Sequence, residues 1–377
     1  MTPSISPLAV MRLRSPKVLD AFAGPGGWDV GASIIGMDND EILGIEIDEN
    51  AAAAATAAGF RRVVADIATI NPADYPEVTG FICSTPCPTF STSGRRQGIE
   101  EIQIVLDAIT HAGFEGCDCA WDVIAEELDA ASDPRTALAA QTIRFALGLP
   151  NLRWLAFEQV ANPATIYLFE DIAAELMACE WEGVNVFTLD AANLGLPMRR
   201  TRVFLVANLY EPTGRAGSAP QCVRLPQRSM AGVLGWPEDE QIRTRGNRRP
   251  TGGNLFRANG IGWCLTEKAR SWTRESNGER LTAAEAGYLQ GFPRDYPWTG
   301  SRTRQFHQLA DVVAPPAAAA VLGTATNRPW KAQVERYLAD LYGDGDRGSS
   351  PQTSTLDTAR TITTTRSDDI TMESAAS

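Results

Sequence analysis

The stretch Lys17-Val18-Leu19-Asp20-Ala21-Phe22, followed by Ala23-Gly24-Pro25-Gly26-Gly27, decides the fold. Its first half is a short, mostly apolar run that reads as a buried strand. The glycines make a tight turn, and Trp28 to Met37 then reads as a helix. Strand, glycine turn and helix N-terminus together form a site for a nucleotide-type ligand. The spacing is not G-x-G-x-x-G, so a dinucleotide is not favoured.

Working outward, Ile42 to Ile47 reads as a second strand carrying Glu46. An acid about twenty residues past such a turn can accept hydrogen bonds from ribose hydroxyls. Ala51 to Ala58 reads as a helix, and Arg62 to Ile67 as a third strand with Asp66 near its end. Glycine turn, Glu46 and Asp66 in that order suit a nucleoside with a sugar and an exocyclic amine. Val78 to Cys83 reads as a fourth strand that delivers Ser84-Thr85-Pro86-Cys87-Pro88-Thr89-Phe90-Ser91 to its carboxyl end. Ligands of open α/β sheets bind there, so a thiol at Cys87 is well placed for nucleophilic chemistry. A helix opening at Asp133-Pro134-Arg135 runs to about Leu147. Leu152 to Phe157 is a fifth strand, with Glu158 following it. Leu168 to Cys179 is a helix, and Val184 to Leu189 and Val203 to Ala207 are strands. The cations Arg199, Arg200 and Arg202 enter the last of these. The pattern predicts a doubly wound α/β sheet.

From about Tyr210 to Gly300 the alternation is lost, and Gly, Pro, Arg and Trp dominate. This reads as a smaller, irregular domain. Thr282 and Glu285 form a capping box at the start of a short helix within it. Phe306 to Thr324 reads as a helical return. The Ser/Thr-rich end, Ser349 to Ser377, reads as a disordered tail. The expected boundaries are therefore 1–209, 210–304, 305–340 and 341–377.

Charge separates these regions. The chain carries −12 overall, but Arg215 to Arg304 holds fifteen basic against eight acidic residues. A basic segment inside an acidic protein is the footprint of a phosphate-bearing partner. No apolar run is long enough for a bilayer, and Met1 to Lys17 has no apolar core of a secretory signal. Seven cysteines without repeated spacing do not make a disulfide framework, which fits a reducing, cytoplasmic setting. His111 with Cys117 and Cys119 lacks a second cysteine pair, so no metal is expected.

These motifs, from about Val18 to Gly323, resemble the DNA cytosine-5 methyltransferases in their family order. Phe22-Ala23-Gly24-x-Gly26-Gly27 is similar to the S-adenosylmethionine loop. Pro86-Cys87 with Phe90-Ser91 resembles the nucleophile motif. Glu158 matches the acid of Glu-Asn-Val, and Arg200 and Arg202 match the arginines of Gln-x-Arg-x-Arg. Leu289-Gln290-Gly291-Phe292-Pro293 resembles the motif after the target-recognition region. Val313 and Pro315 fall in the late motif that folds back on the cofactor. The chain departs from the pattern at Pro88, Gln159, Met198 and Ala310-Asp311, and its 97–131 segment is longer than the usual catalytic loop.

The resemblance implies a Rossmann-like class I methyltransferase sheet with a smaller target-recognition domain. It implies Cys87, Glu158, Arg200 and Arg202 as catalytic residues. The implied cofactor contacts are Phe22, Gly24, Pro25, Gly26, Gly27, Glu46, Ile47, Asp66, Ile67, Pro86, Leu138, Asp311 and Val313. It further implies a monomer acting on double-stranded DNA in a bacterial cell or phage-infected host. Methylation of tRNA, a catalytically inactive DNA-binding relative, and transfer of a group other than methyl are the alternatives.

Overall fold

A computed structural model describes residues 15–86, 134–214, 219–244 and 253–343. Cys87, the 97–131 segment with His111, Cys117 and Cys119, and the 349–377 tail lie outside the described residues.

Strand β1 (Val18–Ala21) is central and wholly buried. It pairs in parallel with β2 (Ile42–Glu46) on one side and β4 (Gly80–Cys83) on the other, Val18 standing opposite both Ile42 and Gly80. The chain first winds outward through β2 to β3 (Arg62–Val64). It then returns across β1 to β4, β5 (Trp154–Val160), β6 (Gly183–Asp190) and β7 (Thr201–Asn208). The seven-stranded order is β3-β2-β1-β4-β5-β7-β6, with β7 antiparallel to both neighbours. Winding therefore reverses between β1 and β4, and the loops leaving these two strands diverge. That divergence opens the crevice in which sheets of this kind bind ligands.

Strand residues point alternately to two apolar faces. Leu19, Ala21, Phe81 and Phe157 belong to one. That face is covered by α3 (Pro134–Gly148) and α4 (Pro163–Ala178) through Ile143, Phe145 and Phe169. Val18, Ile42, Ile82 and Phe204 belong to the other. There α1 (Gly27–Ile34) packs on α8 (Pro315–Ala325), every residue of which is buried. A Cβ on Gly31 would come within 2.5 Å of the Ala318 methyl, so glycine and alanine set the close approach of the two helices. Burial of such an alanine-rich helix rests on backbone proximity rather than on large side chains.

A separate antiparallel sheet joins β8 (Gln241–Arg243), β9 (Leu255–Arg257) and β10 (Thr273–Arg274), with β8 in the middle. Its apolar cluster joins Ile242 and Trp272 to Met230, Leu281 and Phe306. The helix α6 (Ala283–Leu289) opens with the expected capping box: the Glu285 amide donates to Thr282 Oγ1 and the Thr282 amide to Glu285 Oε2. The helical return contains two helices, α7 (Arg302–Asp311) and α8, because Pro315 cannot continue the first and instead starts the second.

Candidate active site

The strand ends open onto one cavity of about 460 Å³. Phe22, Gly24 and Gly27 of the glycine turn form one wall. Phe22 has φ +59°, a left-handed conformation that costs a non-glycine residue energy and clusters at ligand sites. Glu46 is fixed by two backbone amides: Gly24 N–H donates to Oε2 at 2.7 Å and Asp48 N–H to Oε1 at 2.8 Å. Ile47 beside it is 64% exposed and presents an apolar surface to the cavity. A third wall is one face of α7. Arg304, His307, Gln308 and Asp311 recur at helical spacing and all line the cavity. Arg304 reaches Asp48 at 3.5 Å and His307 reaches Glu267 at 3.4 Å. Gln308 donates to Thr299 O while its own Oε1, buried, has no partner among the described residues.

The other end of the cavity is charged. Arg202 Nε contacts Glu158 Oε1 at 2.8 Å, and both side chains are largely buried. Burial pushes the Glu158 carboxyl above its ordinary value, against the opposing charges of Arg202 and Arg200 and a hydrogen bond with Ser84. Arg200 is 2% exposed. Its Nη2 donates to Ala310 O at 2.7 Å, while Nε and Nη1 have no partner among the described residues. Burial, and then the like charge of Arg202, lower its pKa to about 10. Asp311 is raised by burial, with Arg200 and His307 opposing. Ser84, Thr85 and Pro86 lead from β4 along the cavity wall.

Two of the departures have local work. Gln159 is buried and clamps the strand ends together: Nε2 donates to Thr85 O at 3.0 Å and Oε1 accepts from Val160 N at 2.7 Å. Met198 is buried in the apolar cluster of the small sheet and bridges to Gly262.

Residues 16–107 match the family model of the C-5 cytosine-specific DNA methylases. Over those residues the chain is similar to the cytosine-5 methyltransferase family. Curated relatives are Type II methyltransferases. M.NaeI of Lentzea aerocolonigenes is 25% identical, covering 82% of this chain and 74% of its own. M.NlaX of Neisseria lactamica is 23% identical over 81% and 94%. The fold matches a DNA modification methyltransferase encoded within an E. coli prophage, with TM-score 0.56 and 18% identity over 83% of this chain and 99% of that one. It also matches the S. pombe Dnmt2 methyltransferase, with TM-score 0.57 and 16% identity over 82% and 98%.

The cytosine-5 methyltransferase family and its fold depend on S-adenosylmethionine. The cavity fits that molecule on three counts. Its volume is in the range of small-ligand sites. A fixed carboxylate stands at one wall, with an apolar surface beside it. At Gly27 a Cβ would come within 2.1 Å of Val313 O, so glycine lets the turn close against the late motif. Of the thirteen cofactor residues the resemblance implied, Phe22, Gly24, Pro25, Gly27, Glu46, Ile47, Pro86, Asp311 and Val313 line the cavity. Gly26 lies behind the turn, where a Cβ would meet the Tyr296 hydroxyl. Asp66, Ile67 and Leu138 are not in the lining. Asp66 caps a short turn by accepting from Ala68 N at 3.0 Å, and Ile67 and Leu138 pack into the apolar core. Of the α7 face only Asp311 was expected. Arg304, His307 and Gln308 join it in a polar i, i+3, i+4, i+7 stripe, a signal visible in the sequence just before the late motif.

Proposed function

We propose that this chain is a DNA (cytosine-5-)-methyltransferase that methylates C5 of a cytosine flipped from duplex DNA, through a covalent adduct with Cys87. The observation carrying this reading is that one cavity gathers the glycine turn with Glu46, the Glu158–Arg202 pair, and Pro86, the residue directly before Cys87. Glu46 would hold the cofactor's sugar, Ile47 its purine, and the glycine turn with Asp311 and Val313 its remainder. Asp66, Ile67 and Leu138 would complete the adenine side, as the resemblance implies. Bound there, S-adenosylmethionine supplies an electrophilic methyl group on a sulfonium.

Cytosine C5 is a poor nucleophile until C6 is attacked. The Cys87 thiolate forms a bond to C6, and the ring's electron pair moves onto C5. Glu158 donates to N3, for which a buried carboxyl with a raised pKa is suited. Arg202 would hold the base O2, and Arg200 would stand by the nucleophile and a phosphate with the donors that have no partner among the described residues. C5 takes the methyl group; loss of its proton and of Cys87 then restores the ring. Because the target atoms lie inside the duplex, the base must be extruded. The basic region 210–304 would grip the DNA as a target-recognition domain, with 1–209 and 305–340 forming the cofactor domain and 341–377 a tail. We place the protein, as a monomer, in the cytoplasm of a bacterium or phage-infected host.

The decisive experiment is bisulfite or nanopore sequencing of DNA from cells expressing the protein. The expected result is 5-methylcytosine at one fixed sequence. Unmodified DNA alongside newly methylated tRNA would overturn the assignment of substrate.

A further inference from the structure

A second buried charge cluster lies beneath the glycine turn, away from the catalytic end. Arg62 opens β3, and its side chain crosses Gly44 of β2, where a Cβ would come within 2.5 Å of Arg62 Nη1. The guanidinium meets Asp29 of α1 as a fork, Nη1 to Oδ1 at 3.1 Å and Nη2 to Oδ2 at 2.6 Å. Both side chains are 1% exposed. The third nitrogen, Nε, donates to Gly24 O at 3.3 Å. On the other side of that residue, Gly24 N–H donates to Glu46 Oε2. One residue on, Pro25 O accepts from the Tyr296 hydroxyl.

A buried ion pair adds little net stability over an apolar pair of the same volume. What it supplies is direction. A planar guanidinium with two donors on one carboxylate holds its third at a fixed angle, which an ammonium cannot do. Gly24 has φ +55° and, among the described residues, nothing within 4 Å of where a Cβ would stand, so their side-chain packing does not fix its orientation. We propose that Arg62, with Asp29 as its counter-ion, is a positioning residue for the cofactor: it orients Gly24, whose N–H aims the Glu46 carboxylate into the cavity. This rests on the reading of Glu46 as the acceptor for the cofactor's sugar.

The test is a cycle of variants read by calorimetry with S-adenosylmethionine. Arg62→Lys keeps a charge for Asp29 and removes the fork. It should raise Kd about tenfold, the size of one lost hydrogen bond to a charged group. KM for the cofactor should rise with it, and kcat at saturation should stay within about twofold. In a Glu46→Gln background, Arg62→Lys should add almost nothing, because both act through one carboxylate. Unchanged affinity in folded Arg62→Lys overturns the proposal. So does a full, additive loss in the Glu46→Gln background. Should Arg62→Lys not fold, the pair Asp29→Asn with Arg62→Gln removes both charges together and gives the same measurement. Glu46→Gln alone tests the sugar reading separately: unchanged affinity there sinks that reading with Arg62 untouched.

Discussion

Arg62 and Arg200 are both buried near one cavity, and their donors are used in opposite ways. Every nitrogen of Arg62 is engaged, two with Asp29, one with Gly24 O, and Nη1 also with Arg61 O. Burial alone would lower its pKa, but the charge of Asp29 and the hydrogen bonds to it raise it. Arg200 uses one side-chain nitrogen, leaves two without partners among the described residues, and has its pKa lowered to about 10. An unmade hydrogen bond to a buried group costs about 1–3 kcal/mol, more for a charge. A site that leaves such donors open is arranged for a ligand to satisfy them, whereas a saturated arginine holds backbone in place. On the proposed reading, the comparison separates the end of the cavity assigned to chemistry from the end assigned to the cofactor.

The largest expected break in that division is Cys87→Ala, which should abolish methyl transfer while leaving DNA binding intact. Cys87→Ser should be as inactive, since an alkoxide is not available at neutral pH. Full activity in either variant, in a tritiated-methyl transfer assay, removes Cys87 as the nucleophile.

Next in size is Glu158→Gln. General acid catalysis contributes about 10²–10⁴-fold, so kcat should fall by that order while cofactor affinity holds. Because burial raises the Glu158 pKa, wild-type activity should decline as pH rises through that raised value and Glu158 loses its proton. A pH–rate profile that keeps the same descending limb in Glu158→Gln assigns the proton to another group.

At the cofactor end, Glu46→Ala should weaken S-adenosylmethionine binding by about 1.5–3 kcal/mol, the range for hydrogen bonds to a charged partner. Equal affinities by calorimetry would take Glu46 out of the site.

A smaller effect tests the recognition region. Neutralising together Arg248 and Arg249 of the basic segment, which lie outside the described residues, should lower the slope of log affinity against log salt by about two, at nearly 0.9 per phosphate. Cofactor binding should not change. Filter binding on duplex DNA and on a folded tRNA, at several salt concentrations, measures this. An unchanged slope means the pair is solvated surface, and tighter binding to the tRNA favours an RNA substrate.

The smallest effect sharpens the contrast between the two arginines. Asp20 is fully buried beside the Arg62 cluster with neither oxygen hydrogen-bonded among the described residues. Burial, then Asp29, push its pKa well above 3.8, against Arg62 and with Glu46 adding to the rise. A raised folded pKa means stability that is full below the unfolded value and is lost as pH climbs toward the folded one. Asp20→Asn removes that loss, so its melting temperature should gain on wild type as pH rises above the ordinary carboxylate range. Thermal melts showing a constant difference over that rise in pH would mean Asp20 is ionised in the folded protein.

The sequence by itself determined the strands and their order of appearance, and it named the residues expected at the site. The seven expected strands match β1 to β7; β1, β2, β4 and β5 are the clearest, because their burial leaves them almost continuously apolar. Glycine turn, Glu46, Pro86-Cys87, Glu158, Arg200 and Arg202 were legible as short motifs, because each sits within a few residues of a strand end. What only the tertiary structure decided is which side chains meet across the chain. Arg62 looked like an ordinary strand-start cation, and Asp29 like a helix residue; they join because Gly44 leaves room for a guanidinium to cross the sheet. Tyr296 reaches Pro25 from 271 residues away, and α7 brings Arg304, His307 and Gln308 to the same cavity as the glycine turn, about 280 residues earlier in the chain. Local pattern encodes which way a residue faces on its own element. It does not encode which distant backbone group stands within hydrogen-bonding reach, and in this molecule such distant contacts hold the glycine turn.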